Sequence, residues 1–212
     1  MHIPDGFLSP ETYLSGYAIA AGAWHWAVKG VRDSLDETTV PRLATLTALA
    51  YGLGLVMIPV PGGTSGHGLG IAILALVFGV PSAFLAYSLV LLLQSLLLGA
   101  GGITALAIDA LAMGLVGSAT AVGVRRLLRS LGEDIAIGVA GWMSVVTPGV
   151  VIAVVLGIQP HLAHQPDGSP LFFPFGLSVT LPAVLIPHAI IGVGEGLLTV
   201  LVLRYVKARH WL

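Results

Sequence analysis

Seven apolar runs, separated by short breaks, leave this chain few ways to fold. They lie at about Thr12 to Gly30, Pro41 to Val60, His67 to Val80, Ser82 to Leu98, Gly102 to Val124, Ile135 to Ile158 and Leu181 to Leu203. A helix needs about 20 residues to cross a bilayer. Lipid offers no partner to an unpaired backbone N–H or C=O, so such stretches cross as helices. Most of the runs are long enough; the third and fourth are short, and the third alone also fits a re-entrant segment. The basic residues decide between these readings. Seven crossings bring all nine Lys and Arg to one side, as Lys29, Arg32 and Arg42, then Arg125, Arg126 and Arg129, then Arg204, Lys207 and Arg209. Omitting the third crossing would set the first cluster opposite the other two. Because cytoplasmic loops hold the excess of Lys and Arg, the sequence predicts an all-α membrane protein of seven transmembrane helices, amino terminus outside and carboxyl terminus cytoplasmic.

Composition narrows the possible functions. With 56% apolar and 9% charged residues and a formal net charge of −1, the chain has the lipid bilayer as its main partner, and nucleic acid is excluded. Its 28 glycines are nearly twice the usual share of about 7%, as expected where helices approach through small residues. Cysteine is absent, so a metal ion would be held by nitrogen or oxygen rather than thiolate. No G-x-x-x-x-G-K-[ST] loop occurs, and any ATP-driven step must belong to another chain. No internal repeat, soluble domain or signal peptide interrupts the runs, and residues 1–212 read as one transmembrane domain.

The outer face gathers the residues with chemistry. Met1 and His2 offer three nitrogens in a row: the α-amine, the amide nitrogen of residue 2 and the imidazole Nδ1. Fused five- and six-membered chelate rings would hold all three in one plane, a set that suits Ni(II) or Cu(II) and extends to Co(II). The stretch Ile3 to Pro10, with two prolines and a glycine, reads as a fixed turn that folds the terminus back onto the body. The competing reading is a frayed, functionless end. A fourth nitrogen is wanted, and His67 follows Gly62, Gly63 and Gly66 on the same face. There Thr64 and Ser65 supply short hydrogen-bonding groups to orient an imidazole. His67 alone also fits a cap or a packing residue. Asp109, His188 and Glu195 are the ionisable groups inside the runs, costly enough in a bilayer to count as functional candidates. Counted from the outer ends of their helices, Asp109 and His188 lie about 10 Å in, where they are expected to pair. Glu195 falls two turns further on the face of His188. These three read either as a second shell with a relay or as bonds that hold the bundle together.

The opening Met1-His2-Ile3-Pro4-Asp5-Gly6-Phe7-Leu8, the run Pro61-Gly62-Gly63-Thr64-Ser65-Gly66-His67, the segment Leu91 to Gly99 leading into Gly101-Gly102-Ile103-Thr104, and His188 to Glu195 together resemble the CbiM/NikM family. These are substrate-specific (S) components of energy-coupling-factor transporters for cobalt and nickel. The resemblance runs from end to end. It implies a seven-helix S component whose amino terminus is tucked into the bundle, and a metal held by the terminal amine, the amide and imidazole of residue 2, and a later histidine; these match Met1, His2 and His67. It further implies a multi-pass protein of the cell membrane that is not itself an enzyme. Its partners would be a transmembrane coupling subunit and cytoplasmic ATPase subunits, with a small accessory membrane subunit as a further candidate. One departure is visible: the family usually shows a Gly-Ala-Asn-like segment where this chain reads Ala107-Ile108-Asp109. The expected function is therefore the substrate-binding membrane component of an ATP-driven uptake transporter for nickel or cobalt ions. The alternative is a rhomboid-like intramembrane serine protease, because Gly63-Thr64-Ser65-Gly66 fits G-x-S-G and His188 would serve Ser65 as base.

Overall fold

The computed structural model describes residues 1–32, 35–60 and 64–211, with backbone alone at Val60 and Thr64. The chain is a helical bundle with one small hairpin. Its elements are α1 (Pro10–Val31), α2 (Thr39–Leu53), β1 (Ile58–Val60), β2 (Thr64–Gly66), α3 (Ile71–Leu98), α4 (Leu106–Leu131), α5 (Glu133–Gly157), the single turn α6 (Gln159–Leu162) and α7 (Leu177–Ala208). Among the described residues, four helices are long and apolar enough to cross a membrane: Ile71–Leu98, Leu106–Leu131, Glu133–Leu162 and Leu177–Ala208. Together they make this a multi-pass membrane protein.

Helix α3 is not one rod. A straight helix of its 28 residues would be about 42 Å long. Yet His67, four residues before it, and Gln94, near its end, both lie against the ring of His2, at 3.2 and 2.9 Å. The chain must therefore double back, and Gly79, with φ 80° and ψ 169°, is where it does so. Glycine adopts that backbone without a Cβ clash. Pro81 then opens the second limb, where its missing N–H costs no helical bond. The turn is wedged against Gly30 at the end of α1 and beside Arg125, Arg126 and Arg129 at the end of α4. The two limbs, 71–78 and 80–98, correspond to the third and fourth apolar runs. The first is shorter than the sequence predicts: helix begins at Ile71 rather than at His67, and Gly70 turns the chain into it at φ 65°.

Small residues close the other interfaces. A Cβ on Gly196 of α7 would stand 2.5 Å from the carbonyl of Gly138 on α5, and one on Gly141 would stand 2.9 Å from the Cα of Gly196. These helices thus touch backbone to backbone. Within α4, a π-helical stretch from Ala110 to Val116 follows Asp109, a local widening often found at functional sites.

At the far end from this turn, the amino terminus enters the bundle. Met1, Ile3 and Leu8 are at most 2% exposed, a burial worth about 1.5–3 kcal/mol apiece against water. Hydrogen bonds pin the segment. Gly102 N–H donates to Ile3 O at 2.8 Å, and the Asp5 carboxylate accepts from Ile103 N–H, Thr104 N–H and the Thr104 hydroxyl at 3.2, 2.9 and 2.5 Å. Ser9 N–H donates to Gln159 Oε1 at 2.9 Å, and Ser9 Oγ caps α1 while Pro10 starts it. A frayed terminus is excluded. In place of an irregular loop, β1 and β2 form an antiparallel ladder pairing Ile58 with Gly66 and Pro59 with Ser65; Gly62 and Gly63, expected to let backbone approach a ligand, lie outside the described residues.

Candidate metal centre

The inserted terminus, β2 with the extended residues after it, and the second limb of α3 meet at one point. The Met1 amine donates to the carbonyl of Ser65. The His2 ring stacks on that of His67, centroids 4.5 Å apart. His2 Nε2 lies 2.9 Å from Gln94 Oε1, and His67 Nδ1 lies 2.8 Å from the carbonyl of Gly68. Each of these acceptors draws the imidazole proton to its own side. His2 Nδ1 and His67 Nε2 are therefore left with lone pairs, and they face each other across 3.2 Å. Two lone pairs cannot bond each other; a cation between them resolves the conflict.

The arrangement fits a planar nitrogen set. In a chelate of amine, amide and His2 Nδ1, the amine and Nδ1 occupy opposite corners, so a fourth nitrogen must stand next to both. His67 Nε2 has that place beside Nδ1. The next residue supports the chelate from behind, since Ile3 N–H donates to Asp109 Oδ2 at 3.1 Å. Among the described residues, no three His, Cys, Asp or Glu side chains converge on one point, so a complete donor set needs the terminus and backbone as well.

Burial also sets the charge. It lowers the pKa of the Met1 amine from 8.0 to about 5, against the opposing pull of the Asp109 carboxylate. Burial, reinforced by the nearby amine and opposed by Gln94, lowers that of His2 to about 3. Both are neutral near pH 7, as metal ligands must be.

The other candidates fall as follows. Ser65 is at the site through both its carbonyl and its hydroxyl, the latter 3.4 Å from His2 Nδ1. The Thr64 side chain lies outside the described residues. Asp109 and His188 do not pair, contrary to expectation. His188 gives Nδ1–H to the carbonyl of Val184 at 2.6 Å, its other ring edge lies near the Ser65 backbone without closing a hydrogen bond, and Asp109 Oδ1 is unpartnered. The counted helix starts are displaced: α4 begins at Leu106, three residues before Asp109, and α7 at Leu177, eleven before His188, so the two do not share a depth within their helices. Glu195 accepts from Leu69 N–H at 2.6 Å and from Gly70 N–H at 3.1 and 3.2 Å. It thereby caps the first limb of α3, which is the bundle-holding reading. Ser65 Oγ faces His2 rather than His188, so the nucleophile–base bond of a serine protease is not formed. Gln94 was not singled out, although it is 0% exposed and the one amide in an otherwise apolar run, a signal that was available. Asp5, fastened to the turn at residues 103–104, escaped notice for lack of such contrast.

Similar proteins are known. A family profile described as "Cobalt uptake substrate-specific transmembrane region" matches residues 2–211. The fused nickel transport protein NikMN of Rhodobacter capsulatus is 34% identical over 206 residues; the match covers 94% of this chain, which spans only 59% of that longer relative. The cobalt transport protein CbiM of Desulforamulus reducens is 31% identical over 207 residues, covering 95% of this chain and 79% of the relative. Among solved structures, the crystal structure of a truncated transition metal transporter superposes with a TM-score of 0.95 at 35% identity, covering 99% of this chain and 100% of the other. The chain belongs to the family of cobalt uptake substrate-specific transmembrane regions.

Proposed function

We propose that this chain captures nickel or cobalt ions at the outer face of the cell membrane, as the substrate-binding component of an ATP-driven uptake transporter of the energy-coupling-factor type. The observation that carries the reading is the pair of imidazole lone pairs 3.2 Å apart beside a buried amine. The substrate ion takes four nitrogens: the Met1 amine, the His2 amide, His2 Nδ1 and His67 Nε2. Gln94 and the Gly68 carbonyl fix the tautomers of the two rings, as groups behind metal ligands commonly do. Asp109 adds charge balance. A divalent ion with one deprotonated amide carries a single positive charge, which a carboxylate in contact with the next backbone N–H cancels; a neutral amide there would leave it buried and unpaired.

The doubled α3 keeps the parity of seven passages: α1, α2, the second limb of α3, α4, α5 and α7 run between the two ends of the bundle, and the eight-residue first limb carries the chain from the site to the turn at the other end. Basic residues gather at the end away from the site, which supports a cytoplasmic position for that end. There Arg125 and Lys207 meet Glu133, and Arg204 meets Asp134. The sequence has no nucleotide-binding loop, so hydrolysis falls to cytoplasmic ATPase subunits joined through a transmembrane coupling subunit, with a small accessory membrane subunit as a further partner. The chain itself is a carrier and not an enzyme.

Titration of the purified chain with Ni(II) and Co(II), beside the same chain bearing one extra residue before Met1, tests this. One ion bound by the first and none by the second supports the reading. Equal binding by both refutes it.

A further inference from the structure

The ion's route to its site is not given by the coordination. Met1 is 0% exposed, His67 2% and His2 4%, so all three are closed off from solvent. Entry requires either that the whole terminal segment swing out or that an opening exist beside it. Withdrawal would sever the bonds of Ile3, Asp5 and Ser9 to Gly102, Asp109, Ile103, Thr104 and Gln159. It would also pull the buried Met1, Ile3 and Leu8 side chains from the core.

An opening does exist. A vestibule of about 320 Å³ lies between the strand side of the site, with Met57, Pro59 and Ser65, and the turn at Gly99, Ala100 and Gly101, and the His2 ring forms part of its wall. Gly101, at φ 82°, has no Cβ to press on the ring: one built there would stand 3.2 Å from His2 Cδ2. On the other edge of the ring, the Ser65 hydroxyl stands 3.4 Å from Nδ1, the nitrogen whose lone pair is to receive the ion. Among the described residues, no basic side chain lines the vestibule, so none of them repels a cation.

Resting on the metal-capture reading, we infer that the ion enters through this vestibule between Met57 and the 99–101 turn, passing the Ser65 hydroxyl, while the terminal segment stays docked. Ser65 is the threshold. Its hydroxyl satisfies His2 Nδ1 in the empty site and turns away as the ion arrives. Met57 lines the vestibule, half-buried, and makes none of the hydrogen bonds that hold the terminus.

Two measurements of Ni(II) exchange by stopped flow test the route on the purified chain. Met57→Trp narrows the mouth and is expected to slow association and dissociation by the same factor, tenfold or more, leaving Kd unchanged; Met57→Ala exchanges at least as fast as the parent. The chain has no cysteine of its own, so Asp5→Cys with Thr104→Cys, replacing side chains whose oxygens lie 2.5 Å apart, offers a lock for the terminus. The disulfide form should load Ni(II) as fast as its reduced form. A disulfide form at least tenfold slower than the reduced one, or a Met57→Trp protein exchanging at the parental rate, overturns the route while leaving the coordination intact. A parent chain that binds no Ni(II) overturns both.

Discussion

The two ends of the bundle use polar groups in opposite ways. At the end away from the metal centre, charges stand at the surface: Arg204 and Asp134 pair with side chains 63% and 51% exposed, and Glu133 is shared by Arg125 and Lys207. Pairs that water can replace contribute little to stability. At the metal-centre end the polar groups are buried, mostly uncharged and held by backbone: Gln94 and the Gly68 carbonyl on two imidazoles, and the Ser65 carbonyl on the amine. Each is placed so that a donor atom is left without a proton. Buried groups left unsatisfied are costly, and a bound ion removes that cost at the site. One end is tolerant and the other exacting, and substitutions should divide accordingly.

The largest effect is expected from His67→Ala, which removes one of four ligands. Ni(II) affinity should fall on the order of a thousandfold or more, since binding to a four-ligand site is worth about 10 kcal/mol or more; calorimetry on the purified protein measures it. Next come the groups behind the ligands. Gln94→Leu releases the tautomer of His2, and Asp109→Asn leaves the loaded site with a positive charge; each should weaken binding about 10- to 100-fold, with the fold kept by circular dichroism. The third effect depends on pH. The Met1 amine has a pKa of about 5 when docked against 8.0 when free, so the released terminus binds more protons between these values, and docking is favoured as pH rises. Acidification from 8 to 5 should loosen the empty terminus by about 3 kcal/mol, seen as faster amide hydrogen exchange at Ile3 and Gly102. The smallest effect belongs to the other end. Arg204→Ala should leave Ni(II) affinity unchanged, and a substantial loss would mean that the two ends are coupled.

Much of the outer site was legible because its chemistry is local. Three of its nitrogens come from two adjacent residues, and the alternation of basic clusters placed His67 on their face. What sequence did not show depends on backbone departing from regular helix. The return at Gly79 is a single residue at positive φ, which makes the first limb of α3 an eight-residue helix where the pattern predicted a longer one. Counting residues from a helix end set Asp109 and His188 at one depth, but α4 begins at Leu106, three residues before Asp109, and α7 at Leu177, eleven before His188, and the expected pair did not form. Gln94 shows a third limit: its importance lies in which proton it draws from His2, a matter of contact rather than composition.

The number of protons released on binding bears on all four ligands at once. At about pH 7.5 the amine and the imidazoles already lack the protons that a metal would displace, so the only ligand proton left to lose is that of the His2 amide. Titration with Ni(II) in buffers of different ionisation enthalpy should therefore report at least one proton per ion. A count of zero would contradict coordination by the amide, and with it the planar nitrogen site.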